Sequence, residues 1–333
     1  MTRKDIAVAL LLTVLCGLVA LASPQFLSLD NLQNVSRLVG TYGIFSIGVG
    51  LVIITGGIDL SVGSMCALLG VLLSMMLVEW HWPPAIALAA AIATGAALGA
   101  AHGLLVTRLR LQPFIVTLCG LLLYRGAARY IARDATKGFG TGQGFEWLRT
   151  IASGSIGGVP MPFVLLAIVA VAAWVLLHRS VFGRHLVAIG RNEEAARYAG
   201  IRTKAVVAWA YVISGTLAAV SAIIIAFYTN SISPASHGNF YELYAIAAAV
   251  VGGCSLRGGE GSIAGIVMGA ALLQVLRNLV NLLDIPGSLD FAVMGAVILL
   301  GAIADQLASR RSRPPAPVAA PLSTHHGMND GKR

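Results

Sequence analysis

Long apolar blocks separated by short polar connections make up most of the chain. Each block is about 17 to 24 residues long, enough for a helix rising 1.5 Å per residue to cross a hydrocarbon core roughly 30 Å thick. The pattern therefore predicts an all-α, polytopic transmembrane helix bundle with about ten spans. We place the spans at residues 5–23, 37–55, 61–78, 84–107, 112–132, 161–178, 205–227, 241–256, 262–277 and 289–306.

Two junctions between predicted spans are short and rich in glycine. Paired glycines interrupt a helix, and Asp and Ser favour the start of a new one. A broken helix at membrane depth is tolerated where it is buried in protein or lines a water-filled cavity. These junctions are therefore candidates for the wall of a translocation pathway, and a tight turn with an N-cap is the alternative. Their residues are Gly56, Gly57, Asp59, Ser61 and Gly63 in the first, and Gly252, Gly253 and Ser255 in the second.

The polar connection at residues 179–204 predicts a short helix on the cytoplasmic side. An asparagine fits its N-cap, two glutamates fall in the first turn where the helix dipole favours them, and a glycine fits its end. Such a helix is either a connector between spans or a lever that docks on a soluble partner. Its residues include Asn192, Glu193, Glu194, Ala195, Ala196 and Gly200.

Small residues recur at a spacing of four on two predicted spans. The first set is Gly95, Gly99 and Gly103, and the second runs from Gly261 through Gly265 to Gly269. This spacing places glycines on one helical face, where two backbones can approach closely in lipid. The stripes predict helix packing within the chain or, alternatively, a dimerisation face.

Composition and charge agree with a chain that lies mostly in lipid. Hydrophobic residues make up 57% and charged residues 11%, whereas soluble domains carry about 25% charged residues. The net charge of +9 does not indicate nucleic acid, because the basic residues lie in short connections and not in a stripe with aromatics.

The distribution of basic residues predicts the orientation in the membrane. With the N-terminus cytoplasmic, inward connections hold 14 Lys and Arg and outward connections hold 7, which predicts that both termini are cytoplasmic. Residues 1–313 then form one transmembrane domain, and the Pro-rich segment 314–333 predicts a disordered cytoplasmic tail.

The chain shows no recognisable machinery for chemistry. Its glycine-rich stretches lack the lysine and spacing of nucleotide phosphate loops, so we expect any ATP hydrolysis to occur on another subunit. Cysteines are scattered singly, and neither a metal-spaced histidine set nor a catalytic carboxylate pair is present. The sequence therefore predicts no catalytic residue, no metal site and no cofactor.

Polar side chains inside apolar blocks are candidate functional residues, because burying them in lipid is costly. His102, Gln274 and Asn278 can each hydrogen-bond a neutral, hydroxyl-rich substrate or, alternatively, a neighbouring helix. Arg125 and Arg129, near the outer end of a span, are candidates for meeting an acidic protein outside, or for snorkelling to the interface.

Four stretches together resemble the ribose-type permeases of bacterial ATP-binding-cassette sugar importers. They are GGIDLSVGS at 56–64, QPFIVTL at 112–118, FGRHLVAIGRNEEAARYAGI at 182–201 and ELYAIAAAVVGGCSLRGGEGS at 242–262. The resemblance extends over about residues 36–313. The sequence departs from the usual pattern of these permeases at four positions, which bear on sugar identity and subunit pairing. They are Arg191, Glu193, Tyr244 and Glu260.

The resemblance implies a multi-pass permease subunit of the bacterial inner membrane that imports a monosaccharide such as ribose, xylose or galactose. It also implies three protein partners: a second permease, identical or related, an extracytoplasmic sugar-binding protein, and a cytoplasmic ATPase that docks on residues 192–200. Two alternatives stay open. The same scaffold can import a nucleoside, an autoinducer-like furanone or a branched-chain amino acid, or the chain can be a secondary transporter without an ATPase.

Overall fold

A computed structural model describes residues 3–140 and 144–284, together with positions 286, 289, 292, 295, 296 and 299. Eight of its helices are long and apolar enough to cross a membrane, which confirms the predicted all-α polytopic bundle. The helices are α1 Arg3–Ala22, α2 Leu29–Ile54, α3 Val62–Ser74, α4 Pro84–Thr107, α5 Pro113–Ala132, α6 Glu146–Ser153, α7 Met161–Trp174, α8 Val181–Arg191, α9 Glu193–Tyr198, α10 Thr203–Thr229, α11 Tyr241–Val251 and α12 Ile263–Leu282.

Short irregular elements extend or connect these helices. A wider π turn lengthens α3 over Met75–Glu79, another lengthens α7 over Val175–Arg179, and a 3₁₀ turn at Pro24–Leu27 precedes α2. Four two-residue strands form two antiparallel ribbons, in which β1 pairs with β4 and β2 pairs with β3. These strands are β1 Lys137–Gly138, β2 Ser155–Ile156, β3 Val159–Pro160 and β4 Ser231–Ile232.

One predicted span is shorter than expected, and another lies largely outside the described residues. The span predicted at 241–256 is only the eleven-residue helix Tyr241–Val251, which is too short to cross a membrane alone. It is short because the preceding chain enters the bundle without helical structure. The span predicted at 289–306 falls largely outside the described residues, and the predicted tail 314–333 falls wholly outside them.

Helices α2, α3 and α10 form the centre of the bundle. In the most apolar 18-residue stretch of each helix, 89% of the residues of α2, 78% of α3 with its π turn and 72% of α10 are buried, whereas the value for α1, α4, α5 and α7 is at most 22%. The outer helices therefore present apolar side chains to lipid. Because lipid is as apolar as these side chains, association of the helices depends on close packing more than on the hydrophobic effect.

Both glycine stripes provide this close packing within the chain. Gly95 and Gly99 on α4 pack against the backbone of Gly215 and Tyr211 on α10. On the other side of the bundle, Gly269 of α12 packs against the Ala248 carbonyl of α11. The intramolecular interpretation of the stripes is thus confirmed, and these glycine faces are not available for dimerisation.

Candidate translocation pathway and cytoplasmic coupling elements

The first of the two glycine-rich connections predicted between spans is a non-helical segment that enters the bundle. After α2 ends at Ile54, the chain turns and runs without helical structure to Ser61, where α3 follows. The side chains of Asp59 and Ser61 are 1% and 0% exposed, so this segment is buried in protein and not folded over the surface. We call residues 57–61 the first break.

The carboxylate of Asp59 holds the first break together and ties it to α10. It accepts hydrogen bonds from the backbone N–H of Ser61 at 3.1 Å and from the Ser61 hydroxyl at 2.7 Å. Its second oxygen accepts from the hydroxyl of Ser214 on α10 at 2.9 Å. Three donors compensate the desolvation of this buried polar group, which would otherwise be costly.

Helices α4 and α5 contact the same segment. His102 Nε2 lies 2.9 Å from the hydroxyl of Tyr124, and His102 Nδ1 lies 3.4 Å from the hydroxyl of Ser61. The carbonyl of Ile58 accepts a hydrogen bond from Tyr211 at 3.2 Å. Polar side chains from α4, α5 and α10 therefore converge on the first break and hold it in one position.

The predicted substrate contacts Gln274 and Asn278 belong to a different cluster. Asn278 and Asn31 exchange two amide hydrogen bonds, of 2.6 and 3.0 Å, which join α12 to α2. The buried carbonyl oxygen of Gln274 has no hydrogen-bond partner within the described part of the chain. The structure thus places His102 apart from Gln274 and Asn278, and we do not treat the three as one site.

A second non-helical segment, which the sequence pattern did not predict, follows α10. Residues 230–240, the re-entrant segment, run along α3 in the opposite direction, so that Ile232 packs on Gly70 and Gly238 packs on Gly63. The available signals were Pro234 and Gly238, which disfavour a continuous helix. The mostly polar residues around them resembled an ordinary loop between two spans.

Arg125 holds the re-entrant segment from α5. Its guanidinium Nη1 donates to the backbone carbonyls of Pro234 at 2.8 Å and His237 at 2.7 Å. Arg125 therefore serves an internal contact and does not present its guanidinium to a protein outside. Arg129, one turn further along α5, forms an exposed ion pair with Asp134.

The second of these predicted glycine-rich connections forms a tight turn between α11 and α12. The backbone of Gly252 packs against that of Gly265, and Ser255 N–H donates to the Glu260 carbonyl at 3.2 Å. The N-cap of α12 is Ser262, whose hydroxyl accepts from the Gly265 N–H. This geometry matches the alternative of a tight turn, and the assignment of Gly252, Gly253 and Ser255 to a pathway wall remains a prediction.

Three backbones meet immediately before α9, at a contact that we call the glycine junction. Gly190 in the last turn of α8 lies against Ile54 at the end of α2 and against Gly259. The Gly259 N–H donates to the Ile54 carbonyl at 2.8 Å. Gly258 and Gly259 adopt φ values of +85° and +76°, which L side chains rarely adopt. The last turn of α8 is thus in direct backbone contact with the end of α2 and with the α11–α12 turn.

The predicted short helix is present as α9. The Asn192 side chain accepts from the Ala195 N–H at 2.9 Å as its N-cap, and Gly200 follows it at a φ of +83°. Glu193 and Glu194 lie exposed in its first turn, and Ala196 packs inward. The predicted capping is confirmed.

A cleft of about 550 Å³ lies between α9 and the first break. Glu193 and Glu194 line one side, and Gly56, Gly57 and Tyr211 line the other. A protein that moves α9 would therefore act next to the chain that enters the first break.

Comparison with known proteins gives one family and several close relatives. The family model described as "Branched-chain amino acid transport system / permease component" matches residues 31–302. The ribose import permease protein RbsC of Escherichia coli K12 is 39% identical over 295 residues, which cover 88% of this chain and 91% of the relative. RbsC of Bacillus subtilis is 38% identical over 296 residues, covering 89% and 90%. The xylose transport system permease protein XylH of E. coli K12 is 32% identical over 344 residues, covering 86% and 87%. No solved structure matches the chain.

Proposed function

The chain belongs to the family of permease components of branched-chain amino acid transport systems, and from that premise we propose that it is the membrane-spanning subunit of an ATP-binding-cassette importer for a monosaccharide. Relatives named for ribose and xylose import support the cargo class, since their identity extends over most of both chains. The bundle of eight long apolar helices supports the pore-forming role. The chain itself would not hydrolyse ATP.

The proposed assembly contains three kinds of partner in or at the cytoplasmic membrane of a bacterium. A second permease, identical or related, completes the pathway, and an extracytoplasmic binding protein delivers the sugar. A cytoplasmic ATPase docks on α9, with both chain termini on its side of the membrane. The excess of basic residues in the connections on the α9 side supports this orientation.

The observation that carries the proposal is the path of contacts from α9 to the first break. Movement of α9 displaces the last turn of α8, where Gly190 touches Ile54 and Gly259. Both contacts are backbone contacts, which cannot yield by a change of rotamer. Displacement therefore reaches the end of α2 and the α11–α12 turn together, as expected when rigid helices tilt to alternate access.

The test is ATP-driven uptake in proteoliposomes that contain this chain with its ATPase and binding protein. We expect radiolabelled ribose or xylose to accumulate only with ATP. Glu194→Lys combined with Gly200→Trp should abolish uptake and prevent co-purification of the ATPase, because both changes alter the exposed surface of α9. Unchanged uptake and co-purification in that variant would contradict the docking role.

A matched control variant is available on the other side of the membrane. Glu146 lies in the first turn of the short helix α6, and Gly157 has a φ of +57° with open space where a side chain would begin. Glu146→Lys combined with Gly157→Trp thus repeats the same charge reversal and the same bulky insertion. We expect this variant to co-purify with the ATPase as the unaltered chain does.

A branched-chain amino acid is the second candidate cargo, favoured by the description of the matching family. A thermal-shift screen of the cognate binding protein with ribose, xylose, leucine and a nucleoside separates these cargoes. A secondary transporter is less well supported, because the buried Asp59 carboxylate is already hydrogen-bonded to Ser61 and Ser214. Uptake driven by a proton or sodium gradient without an ATPase would favour that alternative.

A further inference from the structure

The re-entrant segment reaches the middle of the membrane. Its Gly238 packs on Gly63, and Glu79 at the far end of the π turn lies sixteen positions after Gly63, about 24 Å along the helix. In the other direction, the eleven residues of α11 extend about 16 Å to Val251. The chain between Gly238 and Tyr241 is therefore far from both surfaces.

Polar groups are exposed at this depth. The side chains of Ser236 and Asn239 lie on the surface of the chain, and Phe240 between them and α11 is 46% exposed. Non-helical backbone and polar side chains are not stable against lipid, because lipid offers them no hydrogen-bond partner. This surface must therefore face a water-filled cavity or another protein.

The exposed residues are held in fixed positions from behind. The two hydrogen bonds from Arg125 fix Pro234 and His237, and the Ser233 N–H donates to His237 Nδ1 at 2.8 Å. Phe240 adopts a φ of +64°, a conformation that is unfavourable for an aromatic residue and persists only where the surroundings impose it. A preorganised aromatic residue beside uncharged polar groups is typical of a small-molecule site.

We propose that Ser236, Asn239 and Phe240 form the sugar-contacting wall of the translocation pathway, with Arg125 as the residue that positions them. The Asn239 side-chain amide donates one N–H to the Ala235 carbonyl at 3.3 Å, which leaves its second N–H and its carbonyl oxygen to contact sugar hydroxyls. The Ser236 hydroxyl can both donate and accept. The Phe240 ring supplies the apolar face against which a sugar ring packs. The three side chains carry no charge, which favours a neutral cargo over an amino acid zwitterion. This assignment rests on the proposed function for the identity of the cargo.

Cysteine accessibility tests whether the wall faces water. The background replaces Cys16 and Cys119 by Ser and keeps Cys66 and Cys254, which are buried. We expect Asn239→Cys to react with a membrane-impermeant methanethiosulfonate and to be protected during ATP-driven ribose uptake. Ile168→Cys is the control, because Ile168 is 60% exposed on the apolar helix α7 and should not react. An unreactive Asn239→Cys that instead forms a disulfide with its copy in a second permease would assign the surface to a subunit contact and overturn the proposal.

Uptake kinetics test the contact with sugar. Asn239→Ala and Phe240→Leu should each raise the KM for ribose by about fivefold or more, the effect of one lost contact, while the ATPase still co-purifies. Phe163→Leu is the matched control, since Phe163 is 40% exposed on α7 and should keep the KM of the unaltered chain. Arg125→Lys, which retains the charge but not the planar guanidinium, should change the ratio of ribose to xylose uptake.

The outcomes separate the two proposals. Unaltered KM values in Asn239→Ala and Phe240→Leu together with an unaltered ribose-to-xylose ratio in Arg125→Lys, with uptake intact, would overturn the assignment of the wall alone. Absence of ATP-driven uptake by the unaltered chain would overturn the proposed function. In that case the reactivity of Asn239→Cys still decides whether the re-entrant segment lines a water-filled path.

Discussion

Substitution of Gly190 by Ala is the sharpest perturbation that the structure offers. A methyl group on Gly190 would overlap the carbonyl oxygen of Ile54 and the amide nitrogen of Gly259, and it would lie 3.0 Å from Gly259 Cα. These neighbours are backbone atoms, so the methyl group fits only if α8 moves away from the glycine junction. The movement would also break the 2.8 Å hydrogen bond between Gly259 N–H and the Ile54 carbonyl.

The expected cost follows from these two effects. Inserting a methyl group into a packed contact costs about 1–3 kcal/mol, and losing the hydrogen bond costs about 0.5–1.5 kcal/mol. Gly190→Ala should therefore destabilise the protein by about 2–4 kcal/mol. Since the junction connects α8 to both neighbouring segments, we also expect less sugar transported for each ATP hydrolysed.

Thermal unfolding in detergent, followed with a thiol-reactive dye in the background that replaces Cys16 and Cys119 by Ser, measures the first effect because Cys66 and Cys254 are buried until the bundle opens. Gly17→Ala is the control, since a methyl group there meets nothing within 4 Å and alanine favours the helix. Proteoliposome uptake with simultaneous phosphate release measures the second effect. If Gly190→Ala unfolded at the temperature of Gly17→Ala and kept the same sugar-to-ATP ratio, the coupling role of the glycine junction would be refuted.

Three further predictions address the polar contacts and the buried thiol. Asp59→Ala should lower the unfolding temperature more than Ser214→Ala, because it leaves several buried donors unpaired at about 1–3 kcal/mol each. Asn278→Ala should destabilise the bundle by about 1 kcal/mol or more, and the double variant with Asn31→Ala should cost less than the sum of the two single variants, because they remove the same pair. Burial raises the pKa of the Cys254 thiol to about 12, so at pH 8 maleimide should label it only after unfolding, and labelling of the folded protein at the rate of a free thiol would contradict this.

Local features of the sequence were sufficient for the elements that depend on few neighbours. Transfer of a helix into lipid depends on the apolar residues within that helix, so eight spans were predictable from hydropathy alone. The same applies to α9, whose caps Asn192 and Gly200 act within a single turn. The family resemblance likewise came from contiguous motifs.

Which residues come together in each candidate site depended on how segments that are far apart in the sequence pack against each other. His102 and Gln274 are both polar residues in apolar blocks, and only the packing of α4 beside the first break and of α12 beside α2 assigns them to different clusters. Likewise, the residues at 230–240 carry the turn-forming signals of any loop. Arg125, more than a hundred positions earlier in the chain, and the glycines of α3 hold them inside the bundle.

The sequence by itself thus determined that this chain is a helical membrane protein, where its long helices lie, and which short helix is capped outside the lipid. The tertiary structure alone decided that a non-helical segment returns into the bundle along α3 and that three backbones meet at Gly190. The physical reason is the range of the interactions. Helix formation and solvation by lipid are properties of neighbouring residues, whereas a backbone contact such as that of Gly63 with Gly238 exists only when the remaining helices bring the two segments together.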